Sequence, residues 1–312
     1  MNVAIRQASA SVVECVPNVS EGRDRSVLDA LAATVRDTPG LTLADVHADP
    51  DHHRAVFTFL GAPAAVEAGA LALAARVVAL VDMRRHRGLH PRVGALDVLP
   101  FVPLAGASMA EVVALARRAG RAIALAHALP VWFYGAAATR PGRETPRPLR
   151  RGGYEGLPAR LAAPEGAPDE GPARFDPRAG AVLVGARDVL IAFNVWLASA
   201  DVETARDIAR AVRESSGGLP RVQAMGILLG SRGVAQVSMN LLDYRRTPIP
   251  AVFDRVVGEA RRRGVAVAHS ELVGLAPRAA FAGRSPESVG LADLAPARLL
   301  DTYGSPGGAT PR

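Results

Sequence analysis

The sequence contains no lysine, so all 37 of its basic side chains are arginine. That absence excludes Schiff-base chemistry and any phosphate-binding loop built on a lysine. Aromatic residues are scarce at 4%, which leaves few rings for stacking on bases. The net charge of +7 therefore reads as composition bias, and nucleic acid is not expected as a partner. The single cysteine, Cys15, cannot close an intrachain disulfide. No basic start followed by an apolar run and a small-residue cleavage site is visible, so the cytosol is the expected compartment. The apolar stretch Ala64 to Val81 is interrupted by Glu67 and Arg76. Against the roughly 20 uncharged residues of a membrane span, no membrane segment is expected.

What is present is a chain of 312 residues, 49% hydrophobic, long enough for two compact units. Hydrophobic periodicity predicts a strand at Ser11–Val16, a helix at Arg25–Asp37, strands at Leu41–Ala48 and Ala55–Leu60, and a helix at Pro63–Val81. A strand at Val93–Leu104 follows, then a helix capped by Ser108 and a strand at Val131–Tyr134. From Thr139 to Gly180 the pattern dissolves into prolines, glycines and arginines, as in a ligand-contacting loop or a linker. The second half repeats strand, helix, strand, strand, helix, strand between Val189 and Leu272. The expected fold is α+β, with two ferredoxin-like βαββαβ subdomains whose sheets face each other across a ligand crevice. Residues 1–180 form the first unit with its connecting loop, 181–285 the second, and 286–312 a tail that frays from about Ala282.

The densest polar cluster is Arg84-Arg85-His86-Arg87-Gly88-Leu89-His90-Pro91-Arg92, in a loop between helix and strand. His86 and His90 have the spacing of helical metal ligands, but Gly88 and Pro91 oppose a continuous helix, and no metal site is assigned. His47, His52 and His53 add donors at no recognised metal spacing. A histidine among arginines is held neutral and can act as a base, which singles out His90. The arginines either hold carboxylates or form a solvated basic loop. Residues Gly171 to Gly180 carry two arginines and Phe175, and serve either an anionic, ring-bearing ligand or a plain linker. Asn194 and the alternating Gln236, Ser238 and Asn240 face solvent or the crevice, with solvent the expected side.

Several segments then resemble the formiminotransferase domain family. They are Glu14–Gly22, Asp82–Val98 with its Arg-His-Arg-Gly-Leu-His-Pro-Arg core, Gly171–Gly180, Ile191–Asn194, Gln236–Asp243 and Leu272–Leu275, running in order from about residue 12 to 281. The resemblance implies transfer of a formimino group from N-formimino-L-glutamate to tetrahydrofolate, giving 5-formiminotetrahydrofolate and glutamate in histidine degradation. It implies His90 as the catalytic histidine, with Asn18, Arg54 and Arg92 at the substrate. It implies Gly171, Pro172, Ala173, Arg174, Phe175, Asp176, Pro177, Arg178, Ala179 and Gly180 as the folate-binding loop. Tetrahydrofolate is then the acceptor, a homodimer the expected assembly, and a separate cyclodeaminase a possible partner, since no cyclodeaminase domain follows. The chain departs from the family pattern where Leu89 and Ala136 replace acidic residues, and where His47 and His53 replace an aspartate and an asparagine. A protonated formimino group is a cation and loses its obvious partners there. Two alternatives follow: a metal-dependent amidine or amide hydrolase, and a folate-binding homologue without catalysis.

Overall fold

The computed structural model describes residues 11–292 and 294–303. Its elements in order are β1 (Val13–Cys15), β2 (Asn18–Val19), α1 (Arg25–Arg36), β3 (Leu41–Asp49), β4 (Arg54–Gly61), α2 (Pro63–Leu80) and β5 (Leu96–Pro103). Next come α3 (Met109–His127), β6 (Val131–Gly135), α4 (Pro146–Leu149), α5 (Leu157–Ala162) and β7 (Val182–Ala186). The chain continues through β8 (Ile191–Leu197), α6 (Val202–Val212), β9 (Val222–Leu229), β10 (Val234–Leu241), α7 (Ile249–Arg262) and β11 (Val267–Val273).

In the first sheet β1 and β2 form one strand interrupted at Pro17, lying between β4 and β5, with β3 outside β4. The second sheet runs β11-β8-β10-β9, all antiparallel. Numbering each unit's four strands in sequence, both sheets place them side by side as fourth, first, third, second. This is the ferredoxin-like connectivity. The first sheet is larger than that plan: β7 adds in parallel to β5, and β6 adds in parallel to β7. The division at 180/181 read from the sequence thus falls one strand early. Val182–Ala186 belongs to the first sheet, where its alternate residues Val182 and Val184 join that sheet's helix-side core.

Helix ends follow local chemistry. Ser108 caps α3 reciprocally with Glu111, and Asp24 and Asp201 accept from the first free amides of α1 and α6. Among the described residues, α2 alone is long and apolar enough to cross a bilayer, at mean hydropathy 1.6, so Glu67 and Arg76 do not exclude it by composition as expected. Its stripe of Val66, Ala70, Leu73, Ala74 and Val77 packs instead into the core beneath the sheet. The C-terminal segment, expected to fray from about Ala282, is folded onto the second unit as far as Tyr303. Val289, Leu291 and Leu300 are buried there, and Arg298 pairs with Asp45 of the first unit at 3.2 Å. Residues 304–312 lie outside the described residues.

Alternation sends Cys15, Val19, Ala55, Phe57 and Phe59 toward the helices. The other face carries Glu14, Asn18, Arg54, Thr58 and Leu60 toward the second unit. Leu60, Val102 and Leu104 there join the core of the second unit. Glu14 is buried at this seam, and desolvation raises its carboxyl to about 7 against the opposing charge of Arg187. The folded state then binds that proton more tightly than the unfolded chain does. Stability is therefore lost as pH rises from about 4.5 through about 7. Glu14→Gln is expected to stabilise the protein by about 2–3 kcal/mol at pH 8 and far less at pH 5, read from denaturant midpoints at the two pH values. An equal gain at both would refute an ionisation penalty.

Candidate functional site

A buried ion network forms a floor on the face of the first sheet that is turned toward the second unit. Pro17 breaks the central strand just before Asn18, and the Asn18 amide donates to the Val16 carbonyl at 2.8 Å, which turns its oxygen toward β4. Arg54 donates to that oxygen from Nε at 3.1 Å and Nη2 at 2.8 Å, while its Nη1 lies 2.8 Å from Asp97 on β5. Arg150, just after α4, closes on the same carboxylate, which also accepts from the Val93 amide at 2.9 Å. Burial alone would raise the Asp97 carboxyl, but Arg150 and Arg54 hold it well below the usual carboxylate range. Desolvation lowers Arg54 to about 10. The resemblance put Asn18, Arg54 and Arg92 at the substrate; here Asn18 and Arg54 are spent on one another and on Asp97, and neither Asp97 nor Arg150 was singled out from the sequence. The available signal was an aspartate inside the apolar strand Leu96–Pro103, since a buried charge requires partners.

His90 lies above this floor. Asp82 caps the turn Met83–Arg85. Gly88 then presses the loop against the turn at His52 and His53, so closely that an added Cβ would stand 2.2 Å from the His52 carbonyl oxygen. His90 is half-buried, with Nδ1 2.7 Å from the Pro91 carbonyl. A carbonyl only accepts, so Nδ1 carries the proton and Nε2 keeps its lone pair. Desolvation first, then the charges of Arg54 and Arg150, push this imidazole well below its ordinary value despite Asp97. The ring of His52 stands 6.1 Å from it, and the His52 Nε2 is buried without a partner.

His86 has a different role from His90. Its Nδ1 accepts from Arg92 Nε at 3.1 Å, and its Nε2 donates to the His53 carbonyl at 2.7 Å. Its ring stacks on His53 at 4.3 Å and 8°. Desolvation lowers it to about 4. With both nitrogens bonded, His86 is a brace for the loop, which removes it from the metal-ligand pair suggested by its spacing. His53, at a left-handed φ of 48°, lies 3.3 Å from Glu21. Burial would raise Glu21, but the His53 contact and the amides of Arg23 and Asp24 lower it to about 2.

Arg92 gives its Nε to His86 and its two Nη atoms to Glu155 at 2.9 and 2.6 Å, with its guanidinium 5.7 Å from the Tyr154 ring centre. Tyr154 also meets Phe175 at 5.3 Å and donates to the Pro177 carbonyl at 2.5 Å. This ties the loop Gly171–Gly180 to the His90 loop. Asp176 accepts from the amides of Arg178 and Ala179, Arg178 donates to Ala79, and Gly180 bridges to Gly94. Arg174 is exposed and makes no ion pair among the described residues.

The opposite wall comes from the second sheet. Asn194 on β8, Ser238 on β10 and Glu271 on β11 are register neighbours sharing one face. Asn194 and Gln236 are buried, 5% and 1% exposed, which corrects the expectation that they face solvent. The first sheet covers them, and His47 on β3 approaches Glu271 at 3.7 Å. Leu89 is exposed on the His90 loop, and Ala136 follows β6.

Residues 12–187 match the model for the formiminotransferase domain, N-terminal subdomain, and residues 192–285 match that for the formiminotransferase domain. The glutamate formimidoyltransferase of Streptococcus pyogenes serotype M1 is 40% identical over 263 residues, covering 84% of this chain and 88% of that protein. That of Thermoplasma acidophilum is 40% identical over 264 residues, covering 84% and 87%. The formimidoyltransferase-cyclodeaminase of Rattus norvegicus is 44% identical over 269 residues, and the match spans 84% of this chain but only 50% of that protein. A likeness to a microcompartment protein from Desulfitobacterium hafniense, at a TM-score of 0.21 and 11% identity, is too slight to bear on the fold. With both family models matched in order across the two subdomains, the chain belongs to the formiminotransferase domain family.

Proposed function

We propose that this protein transfers the formimino group of N-formimino-L-glutamate to N5 of tetrahydrofolate. The observation that carries this is His90, whose Nδ1 is engaged by the Pro91 carbonyl so that Nε2 keeps its lone pair, on a loop joined to Gly171–Gly180 through Arg92 and Tyr154. N5 attacks the amidinium carbon and forms a tetrahedral intermediate. His90 takes the proton from N5 and delivers it to the glutamate nitrogen as the old C–N bond breaks. Glutamate leaves as the amine, and the formimino group stays on N5. The lowered basicity of His90 suits it to a shuttle that must release its proton as readily as it takes it.

Asn18 and Arg54 position this base through the Asp97 network, and Arg92 joins its loop to the folate loop. Arg174, exposed on the loop Gly171–Gly180 and without an ion pair among the described residues, is suited to the carboxylates of the folate tail. The test is an assay of the purified protein with both substrates, following the folate product. Turnover that requires tetrahydrofolate is the expected result. Release of formamide or ammonia without folate would establish the hydrolase instead, and folate binding without turnover would establish a non-catalytic homologue.

A further inference from the structure

The transfer reading leaves one charge unmatched. A formamidinium is a planar cation with N–H donors, yet Leu89, just before His90, and Ala136, after Gly135, stand where the family pattern has acidic residues. Glu271 of the second subdomain is placed to take that role. Its Oε2 accepts from Asn194 at 3.0 Å and Gln236 at 3.4 Å, and these amides fix the carboxylate plane. Its Oε1 is turned toward His47 at 3.7 Å, beyond hydrogen-bond length, and is left without a donor. Beside this half-buried carboxylate, Gln236 Oε1 on the same wall is buried with no partner, and so is His52 Nε2 on the facing turn of the first unit. A buried polar atom left unpaired costs about 1–3 kcal/mol, so a set of them around one crevice marks a place for a polar ligand.

The folate loop lies beside β5, β7 and β6, whereas Glu271 faces β3. The two sides therefore offer different chemistry, and His52 joins them: its ring stands 6.1 Å from that of His90, and it feels the charge of Glu271.

We propose that Glu271 binds the formamidinium of the donor through Oε1, held in plane by Asn194 and Gln236, and so selects a cationic donor over a neutral one. This rests on the transfer reading above. The carboxylate has its counterpart in the two N–H groups of the amidinium, and the match is lost when the nitrogen is replaced by a carbonyl oxygen. It also stabilises the cation through the step in which His90 moves the proton.

The test is calorimetric titration of wild type and Glu271→Gln with N-formimino-L-glutamate, with the neutral isostere N-formyl-L-glutamate, and with tetrahydrofolate. The expected result is an affinity for the formimino compound lower by about 10–100-fold in the variant, with the other two unchanged. Glu271→Asp is expected to recover part of the loss. Unchanged formimino binding, or equal loss of both donors, would overturn the proposal. Loss of tetrahydrofolate affinity alone would put the carboxylate on the pterin and also overturn it. In each of these cases wild-type turnover stands, whereas a wild type that binds neither formiminoglutamate nor folate defeats the transfer reading itself, and this proposal with it.

Discussion

Replacing His90 with alanine is expected to lower kcat by about 10²–10⁴-fold while leaving tetrahydrofolate affinity within about twofold of wild type. On the proposed reading, the residual rate reflects substrate positioning by the loop Gly171–Gly180 and the second sheet, which does not need His90. The pH profile makes the argument sharper. His90 is held neutral by burial and by Arg54 and Arg150, so wild-type kcat/KM should stay flat as pH falls past 6.5 and decline only under more acidic conditions. A decline centred at or above 6.5 would mean that the imidazole is solvated in the working enzyme. An alanine variant with wild-type kcat would remove His90 from the chemistry altogether.

Asp97→Ala is expected to cost about 3–5 kcal/mol of stability, read as a lowered denaturant midpoint with unchanged slope. Asp97 is fully buried and is the common partner of Arg54 and Arg150, so its removal leaves two guanidinium groups facing each other without a counter-charge. The Val93 amide also loses its acceptor, between the His90 loop and β5. A triple replacement, Arg54→Met with Asp97→Leu and Arg150→Met, should recover much of the stability, because an apolar set needs no pairing. It should not recover activity, since Asn18 would lose the guanidinium that it receives and the His90 loop would lose its floor. A cost below about 1 kcal/mol for Asp97→Ala would show that the network is solvated, as surface pairs are.

Legibility from sequence followed the range of the interactions. The Ser108 cap and its partner Glu111 lie three positions apart, so local chemistry displays them. The five-residue strand Val182–Ala186 adjoins another apolar run at Val189, and nothing local separates a strand of the first sheet from the start of the second unit. The alternation of Gln236, Ser238 and Asn240 shows that they share a face, but only the opposing sheet decides that this face is covered. Asp97 and Arg150 are 53 positions apart and are joined by the fold alone. His86 and His90 look alike in sequence; which of them is spent on hydrogen bonds and which keeps a free nitrogen depends on Arg92, His53 and Pro91.

Only residues 187–190 link the last strand of the first sheet to the first strand of the second. Arg187 in that link donates its amide to Phe101, while across the seam Asp45 takes both Arg298 and the Gly274 amide. The two units are thus tied by this short link, itself anchored on the first sheet, and by the contacts of Asp45. On the proposed reading, substrates meet two walls whose spacing was set when the chain folded, so the entropy of bringing the walls to reacting distance is spent before either substrate arrives.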